Sequence, residues 1–145
     1  MKAYPHLYHV AAKAAPEGEV LLSSAGLEAL HSAPPAEFDG PGDRWSPETL
    51  LTAAIIDCFV LTFRAIARVG KLPWISLDCD IEGTLERDQG VSRFTGFRIN
   101  ARLGVPAGTD VEAAERAMHK AEAGCLISNS LLAHPELTAT VTIID

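Results

Sequence analysis

No Cys-x-x-Cys pair occurs in these 145 residues. The three cysteines, Cys58, Cys79 and Cys125, stand far apart, so the paired-ligand spacing of a zinc site is missing. There is no glycine-rich phosphate loop, because Gly40-Pro41-Gly42 lacks a following lysine and does not open directly onto a helix. Basic charge is scarce: 12 Lys and Arg stand against 19 Asp and Glu, giving a net charge of -7. With no basic stripe, nucleic acid is excluded as an expected partner. The start, Met1-Lys2-Ala3-Tyr4-Pro5-His6, has no apolar signal core. The expected location is therefore the cytoplasm, where structural disulfides are rare and cysteines stay as thiols. Ser128 and Ser130 have no histidine and carboxylate at a recognisable spacing, which argues against serine hydrolysis. His9 and His31 find no third ligand, so no metal is expected. No segment repeats at the periods of repeat proteins.

What is present is an ordinary globular composition, hydrophobic 48% and charged 21%, expected to form one domain over 1–145 that needs a partner copy. Its organising stretch runs from Ser46 to Gly70. Ser46 can cap a helix, Pro47 suits the first helical position, and Glu48 meets the positive helix end. From Leu50 apolar residues fall on every face, as expected of a helix buried all round. Pro47 to Val69 would span about 35 Å. That length is hard for one small chain to cover, so a second copy is expected to help. Asp57 and Arg64 interrupt the apolar run and exclude a membrane span.

Residues 6–13, 19–24 and 27–31 read as three short strands, the first two joined by a turn at Pro16-Glu17-Gly18. Residues 32–45 read as a loop rich in Pro, Gly and Asp. Residues 74–87 alternate, with Ile75, Leu77, Cys79, Ile81 and Leu85 on one face and Ser76, Asp78, Asp80, Glu82 and Glu86 on the other. A turn at Asp88-Gln89-Gly90 returns residues 91–104 as the hairpin partner. With the turn centred on Gln89, Asp80 falls opposite Arg98 and Glu82 opposite Gly96, while Phe97, Ile99, Ala101 and Leu103 face inward. Thr109-Asp110-Val111-Glu112 reads as a capping box opening a second helix, with Val111, Ala114, Met118 and Ala121 as its apolar stripe and Gly124 as an αL cap. Residues 125–132 read as a short helical piece closed by Pro135. Leu137, Ala139, Val141 and Ile143 alternate in a last strand. The fold class is α+β.

A cysteine taken singly is more often a small buried hydrophobe than a reagent, and Cys79, in an inward strand slot, reads that way. Cys125 follows a helix-ending glycine, where free N–H groups can stabilise a thiolate. Pro47-Glu48 with Leu50, Cys58-Phe59, and Cys125 with Ser128-Asn129-Ser130-Leu131 together resemble the OsmC/Ohr family of osmotically induced and organic-hydroperoxide-resistance proteins. The likeness extends over most of the chain. It implies antiparallel sheets around a long buried central helix, an intertwined homodimer with sites at the subunit interface, and no cofactor. It also implies Cys58 as the attacking thiolate, Cys125 as the resolving thiol, an organic hydroperoxide as substrate and an external dithiol as reductant. The aliphatic and aromatic residues Ile55, Phe59, Leu61 and Thr62 are expected to supply part of an apolar pocket. The alternative within the same fold is a dimeric, non-enzymatic binder of a hydrophobic or electrophilic small molecule.

A thiolate in an apolar helix needs help, because burial raises a thiol pKa, and a cation near Cys58 is the expected helper. Asp57 points about 100° away around the helix and Arg64 about 240°. The family resemblance implies an arginine held by the early glutamate, here Glu48. Glu37 stands at the arginine's position in one branch, and Arg44, four residues before Glu48, is the nearest replacement. Glu48 and Cys58 are about 15 Å apart along a straight helix. They would meet only if two copies crossed antiparallel near Ala53 and Ala54. Two further differences from family relatives are Leu126 where many have proline, and Glu122 where some have histidine.

Overall fold

The structure is a computed structural model that describes all 145 residues. Two compact units succeed each other along the chain, Met1–Leu51 and Thr52–Asp145.

The first unit carries a three-stranded antiparallel sheet in the order β1 (Ala11–Lys13), β2 (Val20–Ser23) and β3 (Leu30–Ser32). The strands are shorter than their apolar patterns predict. Residues 6–10 stay outside the sheet, and Ser24 to Leu27 form a turn closed by the Leu27 N–H on the Ser24 carbonyl at 3.1 Å. His31 therefore lies on β3 opposite Leu21, with its Nδ1 2.9 Å from Glu19, while His9 is outside the ladder. Gly40 is required where the loop folds on itself: a Cβ there would lie 1.7 Å from the Pro34 carbonyl oxygen. Ser46 caps the long helix as its hydroxyl predicts. It accepts the Thr49 N–H at 3.1 Å, and Thr49 Oγ1 accepts the Ser46 N–H at 2.9 Å, a reciprocal box with threonine in place of the usual acid.

Helix α1 spans Pro47–Val69, the predicted bounds. Its burial differs from expectation. Ile55, Phe59, Phe63 and Ala67, spaced every four residues, form one fully buried stripe, while Leu61 is 51% exposed and Val69 85%. A single chain thus covers one face of a helix that is apolar on all of them.

In the second unit, β4 (Ser76–Asp88) and β5 (Val91–Pro106) form a long antiparallel hairpin. Helix α2 (Val111–Ala123) then crosses back, and β6 (Pro135–Ile144) joins the far side of β5 in parallel. The sheet is accordingly mixed rather than antiparallel throughout, because a helical crossover returns the chain to the end from which β5 began.

Hairpin register departs from the expected one by two residues. Asp80 lies opposite Asn100 and Glu82 opposite Arg98. Half of the shift comes from the turn, which closes on two residues, Gln89 and Gly90, both at positive φ (50° and 79°) as a type I′ turn requires. The other half comes from a bulge beside Thr84 and Leu85. An even shift leaves the faces unchanged. Phe97, Ile99, Ala101 and Leu103 are buried as the alternation predicts, and the wet face still pairs opposite charges, Arg98 with Glu82 at 3.2 Å and Arg102 with Asp80 at 3.1 Å.

The α1 stripe, the inner face of β5, and Ala114, Met118 and Ala121 of α2 form one continuous core within this unit. Two end signals of α2 resolve differently from their sequence reading. The N-cap is Asp110, whose carboxylate accepts the Ala113 N–H at 3.1 Å, while the Thr109 hydroxyl turns back to the Pro106 carbonyl at 2.7 Å. Gly124 ends the helix at φ -92°, outside the αL region. Beyond it, the expected helical piece shrinks to one 3-10 turn, Ser128–Ser130.

Candidate active site

Within the second unit the fold brings together two thiols that are remote in sequence. Cys58 lies in the middle of α1 and Cys125 opens the loop after α2, and both are free. The Cys125 thiol stands beside the Cys58 sulfur and donates to the Ile55 carbonyl at 3.9 Å, on the preceding turn of α1, while the N–H groups of Ile127 and Leu126 face the Cys58 sulfur. Neither N–H is taken by a backbone carbonyl: the loop's backbone bonds run from the Cys125 N–H to the Glu122 carbonyl at 3.2 Å and from the Asn129 N–H to the Cys125 carbonyl at 3.0 Å. The Thr62 hydroxyl, one turn along α1, lies 3.8 Å from Cys58 Sγ.

Burial pushes the Cys58 thiol up, but the Ile127 N–H, the Cys125 thiol, the Thr62 hydroxyl and the Leu126 N–H outweigh it, and the group titrates below the ordinary thiol range. Every one of these donors is neutral. Within one chain, hydrogen-bond donors thus lower the Cys58 thiol, and charge-assisted bonds to an anion are about twice as strong as neutral ones.

Cys125 behaves oppositely. It is fully buried, its Sγ lies 3.9 Å from the Ile55 carbonyl, and burial holds its thiol above the ordinary range. The N–H and hydroxyl of Ser128 pull it down, while the neighbouring Cys58 pushes it up. Ser128 Oγ is itself buried and has no hydrogen-bond partner of regular geometry, so the Cys125 sulfur is its long-range neighbour. The pair is therefore split into one thiol that ionises early and one that ionises late.

Other sequence candidates fall elsewhere. Ile55 and Phe59 are fully buried in the core stripe and do not line a cleft, whereas Leu61 and Leu126 are exposed. Glu48 occupies the first turn of α1. Arg44 is held in the first unit by Glu19, with Nε 2.6 Å from the carboxylate, and by Asp43 at 3.6 Å; those carboxylates hold its guanidinium above its ordinary value. Sequence reasoning named Thr62 only as pocket lining. Its place four residues after Cys58, on the same helix face, was the available signal for its hydroxyl contact. Ser128, three residues after Cys125 in a turn, was legible in the same way. No group of three His, Cys, Asp or Glu side chains gathers as for a metal ion.

A sequence model described as OsmC-like protein matches residues 40–140. The chain belongs to the OsmC-like family. YmaD, an uncharacterised protein of Bacillus subtilis (strain 168), is 32% identical over 108 residues, covering 71% of either chain. Among solved structures, an organic hydroperoxide resistance protein OsmC from Legionella pneumophila superposes with a TM-score of 0.75 at 25% identity, over 97% of this chain and 99% of its own. An OsmC-like protein of unknown function from Vibrio cholerae gives a TM-score of 0.79 at 17% identity, over 97% and 100%. The α+β architecture of this OsmC-like chain is thus that of its family, and its two juxtaposed thiols sit inside the matched segment.

Proposed function

We propose that the protein is a thiol-dependent peroxidase acting on organic hydroperoxides, with Cys58 as nucleophile and Cys125 as resolving thiol. The observation that carries this reading is the placing of Cys58 beside Cys125 and the Leu126–Ile127 turn, with the first thiol held below and the second above the ordinary range. The Cys58 thiolate attacks the terminal peroxide oxygen. The O–O bond breaks, the alkoxide leaves and takes up a proton as alcohol, and Cys58 becomes a sulfenic acid. The Cys125 sulfur then attacks the Cys58 sulfur. An S–S bond forms, the S–O bond breaks, and water leaves with the proton released by Cys125. Two thiol exchanges with an external dithiol return both cysteines to the reduced form. Three free thiols suit a reducing compartment such as the cytoplasm.

The working unit in this proposal is a homodimer. The open apolar face of α1, with Leu61 half exposed, is what a second copy would cover. Crossing antiparallel near Ala53 and Ala54, two helices would carry Glu48 of one copy to Cys58 of the other, with Arg44 as the associated cation. A monomer in light scattering at micromolar concentration would remove that part of the proposal.

Its chemistry is tested by adding cumene hydroperoxide to the reduced protein and counting thiols. Rapid loss of two thiols in the wild type, with no intramolecular disulfide in Cys58→Ser or Cys125→Ser, is the expected result. Equal slow loss in all three proteins would replace the peroxidase with a dimeric binder of hydrophobic or electrophilic molecules.

A further inference from the structure

Helix α1 ends about 18 Å along its axis from Cys58, at a cleft that the thiol chemistry does not use. Its stop is a backbone cap. The Gly70 N–H donates to the Ile66 carbonyl at 2.9 Å, the Lys71 N–H to the Arg68 carbonyl at 3.3 Å and the Leu72 N–H to the Ala67 carbonyl at 2.9 Å. The last two are the paired bonds of a Schellman motif. The backbone alone thus closes these carbonyls, and no cation is needed to cap them. The left-handed position of such a motif ordinarily takes glycine. Here it is Lys71, at φ 51°, although Gly70 stands one residue earlier. The turn carries the strain of a side chain at that point, and Lys71 lines the cleft, about 490 Å³ in volume, with Arg64, Arg68, Pro73 and Trp74.

The lining holds three cations and no carboxylate, in a chain with 19 acidic side chains against 12 basic ones. Arg44, Arg93, Arg98, Arg102 and Arg116 each have a carboxylate within 4.0 Å, whereas Arg64, Arg68 and Lys71 have none. Arg64 and Arg68, four residues apart, repel each other on one helix face. A multiply charged anion between them turns that repulsion into attraction, and guanidinium forks match phosphate oxygens. Trp74 supplies an apolar wall. Its indole is anchored edge-to-face on Phe63, with centroids 5.4 Å apart at 74°, and stays only half-buried where it lines the cleft. An indole held in that way is a platform for a flat ring, and the volume is that of a small-molecule site. We propose that this cleft binds an organic phosphate bearing a flat ring, its phosphates held by Arg64, Arg68 and Lys71 and its ring laid on Trp74.

The site is separate from the peroxidase reading, and its test involves neither peroxide nor thiol. The full reduced protein carries Trp45→Phe, a change at a half-exposed ring that leaves Trp74 as the one tryptophan. ADP is titrated without metal at about 0.15 M salt, and inorganic pyrophosphate is the ringless comparison. A saturable change in Trp74 emission is expected below about 10 mM ADP, with pyrophosphate at least about five-fold weaker. Arg64→Gln combined with Arg68→Gln should weaken ADP binding about ten-fold or more. Lys71→Gly separates binding from folding, because it removes a cation and relieves the positive φ. That variant should melt no lower than its parent yet bind ADP more weakly. No saturable change with ADP, an unaltered affinity in the double arginine variant or in Lys71→Gly, or pyrophosphate binding as tightly as ADP would overturn the proposal.

Discussion

Cys58 and Cys79 are both half-buried thiols on regular elements, and the two regions shift them in opposite directions. In both, desolvation raises the thiol first. On β4 little opposes it. Arg102 draws the Cys79 thiol down, Asp80 and Asp78 push it back up, and the result lies above the ordinary range. The N–H groups around it are spent on the β4–β5 ladder, where Cys79 pairs with Ala101. On α1 the sulfur of Cys58 meets the end of a helix and the start of an irregular loop, where N–H groups have no carbonyl partner. The lesson is that burial alone does not decide thiol chemistry; the supply of unspent donors does.

The largest effect expected from that contrast is on turnover. Cys58→Ser should lower peroxide consumption at least about 10³-fold, while Cys79→Ser should stay within about two-fold of the wild type, both read by a hydroperoxide-disappearance assay. Comparable losses in the two variants would break the distinction between the regions.

Next comes Cys125→Ser, which should stop after one turnover and leave a Cys58 sulfenic acid that a dimedone adduct reports by mass. Prompt regeneration without that adduct would mean that a thiol other than Cys125 resolves the intermediate.

A smaller effect appears in pH profiles. At neutral pH iodoacetamide should modify Cys58 about ten-fold faster than Cys79, with the Cys58 profile inflecting below the ordinary thiol range and that of Cys79 above it. The stability signs are opposite as well. The fold favours the thiol at Cys79, so that contribution is present below the unfolded value and is lost as pH rises through the raised folded value. At Cys58 the fold favours the thiolate, so the contribution is present above the unfolded value and is lost as pH falls through the lowered one. Denaturant melts of Cys58→Ser and Cys79→Ser at mildly alkaline pH separate the two signs.

The smallest expected change sharpens the donor count. Thr62→Val removes one neutral donor at 3.8 Å and should slow Cys58 alkylation at neutral pH about two- to three-fold, without altering Cys79. A change of ten-fold or more would make Thr62, rather than the loop N–H groups, the main support of the thiolate.

How much of this was legible beforehand varies with the range of the interactions. The bounds of α1 were readable from Ser46, Pro47 and Gly70, because caps and breakers act within one turn. Alternation showed which face of β5 is buried, and an even register error could not disturb it. The register itself differs from the pattern's, since neither the two-residue closure at Gln89-Gly90 nor a bulge beside Thr84 leaves a periodic trace. The burial of α1 was overestimated, because composition tells how apolar a helix is but not which neighbours one chain supplies. The pairing of Cys58 with Cys125 was anticipated through a family pattern. The Leu126 and Ile127 N–H groups that face Cys58 were not, because a backbone N–H carries no residue identity.

By itself, then, the sequence determined the lengths and faces of the main elements and the kinds of reactive group available, since those follow from local sterics and periodicity. Tertiary structure alone decided that Cys58 comes beside Cys125 and that the Leu126 and Ile127 N–H groups face its sulfur. Each of these depends on where a loop ends after a helix and sheet have packed, and that position is set by the core as a whole.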